Sequence, residues 1–179
     1  MDGFEAFVAA RGPALLRSAY LLTGDRHLAE DAVQEALSRV VGRWTRLIRR
    51  GDPEAYVRRA LYSVVVDRSR RRWTRERPVD SRYAEHPDAV ADEADRVAGS
   101  VTLADALDRL TTRQRQVLVL RFYEDLGEAR TAELMGCSPG TVKSQTAHAL
   151  RRLRELAPDL AEAFGRGLPA PTPSPEVPA

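Results

Sequence analysis

The chain has 179 residues, 43% of them apolar and 30% charged. That is enough for one domain or two small ones, each with a modest helical core. No apolar run reaches the 18 to 20 residues that span a bilayer, so membrane insertion is not expected. The opening "MDGFEAFVAARG" lacks the layout of a secretory leader. A single cysteine, Cys137, rules out an intramolecular disulfide, and three scattered histidines make a closed zinc site a poor reading. No cofactor is implied, and a cytoplasmic location is expected.

The net charge of +2 hides an uneven distribution. Residues 1–77 carry 16 Arg against 10 acids, residues 78–110 carry 3 against 8, and residues 111–157 carry 8 basic residues against 5 acids. Two basic blocks around an acidic one point to two modules facing a polyanion, with a linker between them.

In chain order, the apolar positions of "FEAFVAARGPALLRSAYLLTG" predict helix, interrupted at Gly12-Pro13 and stopped at Gly24. Asp25 is placed to cap a second helix whose apolar residues Leu28, Ala32, Val33, Ala36, Leu37, Val40 and Val41 follow the 3-4 spacing. Around Arg46, Arg49 and Arg50 a loop is expected. Asp52 as cap and Pro53 in the first turn start a long helix to about Arg75. Residues 77–100 lose the periodicity, carry two prolines and many acids, and read as a flexible linker.

Helical signals resume near Val101. "VTLADALDRL" and "TTRQRQVLVLRFY" come first, the latter capped by Thr111 or Thr112; "GEARTAELM" ends at Gly136, and a last helix has Ser138 as cap and Pro139 in its first turn. The segment 158–179, with "GLPAPTPSPEVPA", reads as a proline-rich disordered tail. The expected fold class is all-α, with two small helical domains, residues 1–76 and 101–157, on either side of the linker.

The last two helices are separated only by "GCS". Ala132 where the helices cross, Gly136 at the turn and Val142 early in the second helix stand at the intervals of a helix-turn-helix. Such a helix presents Ser138, Thr141, Lys143, Ser144, Gln145 and His148 to base edges and phosphates in a major groove. The plainer reading is an αα-hairpin with a solvated polar face. Arg151 is a phosphate contact or simply a basic last turn favoured by the helix dipole.

The two modules together resemble the extracytoplasmic-function (ECF) group of bacterial RNA polymerase sigma factors, the group-4 type. "LADALDRLTTRQRQVLVLRFYEDLGEARTAELMGCSPGTVKSQTAHALRRLREL" is similar to region 4 of that family. "HLAEDAVQEALSRVVGRW" and "AYVRRALYSVVVDRSRRR" are similar to region 2. The resemblance implies a specificity subunit that binds core RNA polymerase and promoter DNA, with an anti-sigma factor as a further candidate partner. It implies that Asp31, Gln34 and Glu35 form a polar stripe docking on core polymerase; an ordinary solvated face is the competing reading. It implies that Arg46, Arg49, Arg50, Arg58 and Arg59 hold −10 phosphates, with Tyr62 and Ser63 nearby. Tyr56, Tyr62 and Trp73 are the rings available for base stacking, and Tyr56 is assigned to the core instead. Three departures from the family stand out: Ser63 where relatives commonly carry Asn, Thr131 for isoleucine, and Gly127 for a capping serine. The alternative function is a stand-alone helix-turn-helix regulator binding operator duplex, which leaves the first module unexplained. No nucleophile–base pair, metal cluster or Gly-rich phosphate loop supports an enzyme.

Overall fold

The computed structural model describes residues 3–75, 103–158 and 161–162, with side chains to residue 72 in the first stretch. The expected linker, most of the proline-rich tail and the ring of Trp73 lie outside the described residues; residues 158, 161 and 162, expected in the disordered tail, are helical instead, because Ala161 is buried in the core.

Helix α1 spans Phe4–Thr23 without a break. The expected interruption at Gly12-Pro13 does not occur. Pro13 forfeits one helical hydrogen bond, and Gly12 before it has no Cβ to clash with the proline ring, so the helical conformation survives there. Gly24 ends α1 at φ 71°, its N–H donating to the Tyr20 carbonyl at 2.7 Å. Helix α2, Arg26–Val41, is capped by Asp25, whose carboxylate accepts from the Leu28 amide at 2.8 Å. Its buried face is Ala29, Ala32, Ala36 and Val40, small enough for α1 and α4 to approach closely.

A short helix α3, Trp44–Arg49, stands where a loop was expected. Trp44 and Leu47 point inward from it. The Trp44 ring meets Phe7 at 4.9 Å and Phe4 edge-on at 5.1 Å between centroids, and this anchor is what winds the segment into a turn of helix. Helix α4, Pro53–Arg75, starts as expected, with the Asp52 carboxylate accepting from the Ala55 amide at 2.9 Å. Val57, Leu61, Val64 and Val65 fill the first core from α4.

In the second half, α5 covers Leu103–Asp108 and α6 covers Thr112–Leu118. Thr111 and Gln114 form a reciprocal capping box at the start of α6. The helix continues as a π-helical turn over Val119–Tyr123, then α7 spans Glu128–Met135 and α8 Pro139–Leu156. Val117, Leu118, Val119 and Leu120 are all buried. Four consecutive buried positions require partners on every side. They have them, because α6 and the π turn lie between α8 on one flank and α1 on the other. The two halves therefore share one continuous apolar core.

Three polar contacts accompany this seam. Arg115, 4% exposed, donates to the Leu107 carbonyl at 3.0 Å and pairs with Asp108 at 2.9 Å, while its guanidinium packs over Gly24. The Gln116 amide donates to Ser69 of α4 at 3.0 Å. Glu124, just past the π turn, pairs with Arg58 of α4 at 2.9 Å and accepts from the Tyr62 hydroxyl.

Candidate nucleic-acid interface

The helix-turn-helix forms as its intervals predict. Ala132 is buried at the crossing of α7 and α8, Gly136 turns the chain at φ 62°, and Val142 is completely buried. The left-handed turn lets the Cys137 amide bond back to the Ala132 carbonyl at 3.0 Å. Ser138 caps α8, its hydroxyl accepting from the Thr141 amide at 3.1 Å. Gly127 begins α7 in extended conformation without any side-chain cap.

Val142, Ala149 and Leu153 hold one face of α8 in the core. The other face carries Lys143, Ser144, His148 and Arg151 exposed, with Thr141 and Gln145 half-buried beside them. The hydroxyls are partly engaged: Ser138 and Thr141 lie 2.9 Å apart, and Ser144 donates to the Thr141 carbonyl at 3.0 Å. Arg151 sits 2.8 Å from Nδ1 of His148. Lys143, the chain's single lysine, projects from the exposed N-terminal half of this helix.

The residues expected at a −10 strand separate into three groups. Arg46 and Arg49 are exposed on α3 and not in a loop, whereas Arg50 is exposed in the turn that follows the helix. Arg59 and Ser63 line a cleft of about 690 Å³ between α2 and α4, together with Arg39, Arg43, Tyr56 and, from α7, Arg130. Tyr56 is half-buried, and Arg43 donates to its hydroxyl at 3.3 Å, so the ring belongs to the cleft wall and not wholly to the core.

Arg58 and Tyr62 form the third group, and both are engaged by Glu124 from the other half of the chain. Tyr62 is 2% exposed and offers no face for stacking. Burial and the Glu124 carboxylate push its phenol well above the ordinary 10, against the opposing pull of Arg58. Arg58 bridges Glu54 at 3.1 Å and Glu124 at 2.9 Å. Its own burial lowers the guanidinium's affinity for its proton, but Tyr62, Glu124 and Glu54 more than offset this and raise it.

The α2 stripe is also less open than its spacing suggests. Asp31 and Gln34 are exposed, whereas Glu35 is half-buried and held by Arg39 at 2.5 Å and Arg68 at 2.6 Å. Burial alone would raise the Glu35 carboxyl; hydrogen bonds and charge from Arg68 and Arg39 outweigh it and hold it below 4.5. Arg68 also reaches Asp31 at 3.7 Å.

Sequence reading missed Arg39, Arg43 and Arg130 in the cleft. Arg43 had a local signal, standing beside the buried Trp44. Arg130 had none, because only the packing of α7 on α4 brings it there.

Two family models match the chain: sigma-70 region 2 over residues 7–75 and sigma-70 region 4 over residues 100–153. The chain belongs to the sigma-70 family of RNA polymerase sigma factors. The RNA polymerase sigma-E factor of Streptomyces avermitilis is 40% identical over 154 residues, spanning 85% of this chain and 83% of the relative. The ECF RNA polymerase sigma factor SigL of Mycobacterium tuberculosis is 32% identical over 145 residues, spanning 78% and 80%. Within the family the chain is thus an ECF sigma factor. The sigma factor RpoE of Bartonella quintana, solved in complex with the anti-sigma factor NepR, shares the fold with TM-score 0.56 at 24% identity, covering 87% of this chain and 97% of that one. The region 2 match accounts for the first module, which the stand-alone regulator left without a role. Among the described residues, no helix is long and apolar enough to cross a membrane.

Proposed function

We propose that this chain joins core RNA polymerase in the cytoplasm and directs initiation at promoters whose −35 element is read by α8 and whose −10 strand is held by α3 and α4. The observation that carries the −35 assignment is the division of α8: Val142, Ala149 and Leu153 fix one face in the core, while Lys143, Ser144 and His148 stand exposed on the other. That is the geometry in which a second helix enters a major groove. Arg43, Arg46, Arg49, Arg50 and Arg59 surround the α2–α4 cleft and the end of α3 with positive charge suited to a single-stranded backbone. Asp31, Gln34 and Glu35 of α2 are the proposed docking surface for core polymerase. An anti-sigma factor is a further proposed partner, as one is for the Bartonella relative.

The test is in vitro transcription with purified core polymerase and this chain on a promoter selected from random sequence. Promoter-specific initiation dependent on the chain is expected. Tight binding to duplex DNA without core polymerase, and no complex with core, would instead favour the stand-alone regulator.

A further inference from the structure

Arg39, Arg130 and Ser38 line the cleft between α2 and α4 but have no part in holding the −10 strand proposed above. With Arg43 and Arg59 they bring four guanidiniums to one space of about 690 Å³, and no acidic side chain among the described residues lines it. That volume falls within the roughly 300–1,000 Å³ of small-molecule sites. Such sites are ordinarily walled by apolar groups; a cationic wall selects an anion. Two of the arginines are held from behind: Glu35 accepts from Arg39 at 2.5 Å, and Glu133 pairs with Arg130. A guanidinium has five N–H donors, so each pairing orients the group without exhausting it. Arg59 is steadied through Nε on the Ala55 carbonyl at 3.4 Å, and its terminal nitrogens carry the paired donors that suit a phosphate. Tyr56 adds an aromatic ring, half-buried in the cleft wall and fixed by Arg43 at its hydroxyl. A ring in a cationic groove accepts any nucleobase, since every base has a π face.

We propose that the cleft is a site for a free nucleoside diphosphate, its phosphates among Arg39, Arg59 and Arg130 and its base on Tyr56. Such a ligand competes with the −10 strand for Arg59 and for the space beside it. The competition rests on the −10 reading given above; the binding does not. Ser38 and Ser63 offer hydroxyls, which donate and accept alike, so adenine and guanine are taken equally.

The test is isothermal titration of the full chain with ADP, GDP, inorganic pyrophosphate and adenosine, then fluorescence anisotropy of a single-stranded −10 oligonucleotide with and without ADP. ADP and GDP are expected to bind alike, and pyrophosphate about tenfold weaker for want of stacking. Adenosine, without phosphates, should bind weakest. Arg130→Ala should weaken ADP about tenfold, as for one lost charge-assisted contact, and leave the affinity for the strand unchanged. Tyr56→Leu should weaken ADP about as much and leave pyrophosphate unchanged; if it fails to fold by circular dichroism, Arg130→Ala carries the reading. ADP at ten times its Kd should weaken strand binding roughly tenfold. Absence of saturable ADP binding, or binding that both variants leave unchanged, overturns the site. Pyrophosphate as tight as ADP also overturns it, since the ring then contributes nothing. ADP binding without displacement of the strand keeps the ligand site and overturns the placing of the −10 strand in the cleft.

Discussion

A Cβ added to Gly24 would stand 1.6 Å from Nη1 of Arg115 and 2.5 Å from its Cζ. The C-terminus of α1 is thus shaped around a guanidinium from the other half of the chain. Gly24 also holds φ 71°, where a side chain is strained. Gly24→Ala meets both penalties. It must displace Arg115 from Asp108 and the Leu107 carbonyl, leaving a buried cation, whose pKa desolvation already lowers, without its partners. A loss of about 3 kcal/mol is expected from backbone strain plus overpacking. For a chain of this size that lowers the melting temperature by roughly 10 °C. Thermal denaturation by circular dichroism checks it, and a midpoint unmoved by Gly24→Ala would contradict the packing.

Gly24 also marks how far the sequence could be read. As a helix stop it was legible, because a glycine after an apolar 3-4 pattern has a local meaning. As the floor beneath Arg115 it was not, since that role depends on residues some ninety positions apart. The same division runs through the site. The α8 face needed only the cap at Ser138 and the interval from Ala132 to Val142. The burial of Tyr62 could not be inferred from "ALYSVVVD", since the aromatic sits on a helix that is amphipathic by itself. Its hydroxyl meets Glu124, a residue from the other half of the chain. The helix at Arg46 and Arg49 was likewise hidden, because its stability comes from Trp44 packing on Phe4 and Phe7 and not from its own basic residues.

Thr131 is completely buried, and its hydroxyl has no hydrogen-bond partner. An unsatisfied buried hydroxyl costs about 1–3 kcal/mol. Thr131→Val keeps the shape and removes the orphan, so the variant should be more stable by about 1 kcal/mol. The urea midpoint should rise with the slope of the transition unchanged. A lower midpoint would mean that the hydroxyl is satisfied in solution.

The Glu35 cluster gives a pH dependence with a defined sign. The folded carboxyl lies below its ordinary 4.5, held there by Arg68 and Arg39 against the opposing effect of burial. Its contribution to stability is therefore fully present above about pH 4.5 and fades as pH falls through the lower folded value. Glu35→Gln should be less stable than the parent at pH 7, by a modest amount because the pair is about one-third exposed. The difference should shrink toward pH 3. Denaturant titrations at several pH values test this, and a difference independent of pH would show that the carboxylate charge is not what the arginines stabilise.

The exposed part of α2 can be probed without disturbing that cluster's core. Asp31→Arg combined with Gln34→Ala alters two exposed side chains, and the 3.7 Å approach of Arg68 to Asp31 is worth at most about 1 kcal/mol. Folding should be spared while binding to core polymerase weakens. Native gel or sedimentation analysis of the complex reads this directly; a normal holoenzyme would remove the α2 stripe from the docking surface.

Lys143 separates DNA reading from polymerase binding. It lies on the exposed side of α8, one residue past the buried Val142, so its removal leaves the packing of the helix intact. Lys143→Ala should leave the affinity for core polymerase unchanged and lower −35-dependent transcription roughly tenfold, the value of one charge-assisted contact of about 1–2 kcal/mol. If the ammonium meets a phosphate, the log–log dependence of promoter binding on salt should flatten by about one counterion. If it reads a base edge, the salt slope should hold while discrimination among −35 sequences relaxes at one position. Transcription equal to the parent's would take Lys143 out of the interface. The proposed reading face would then contract to Ser138, Thr141, Ser144, Gln145, His148 and Arg151.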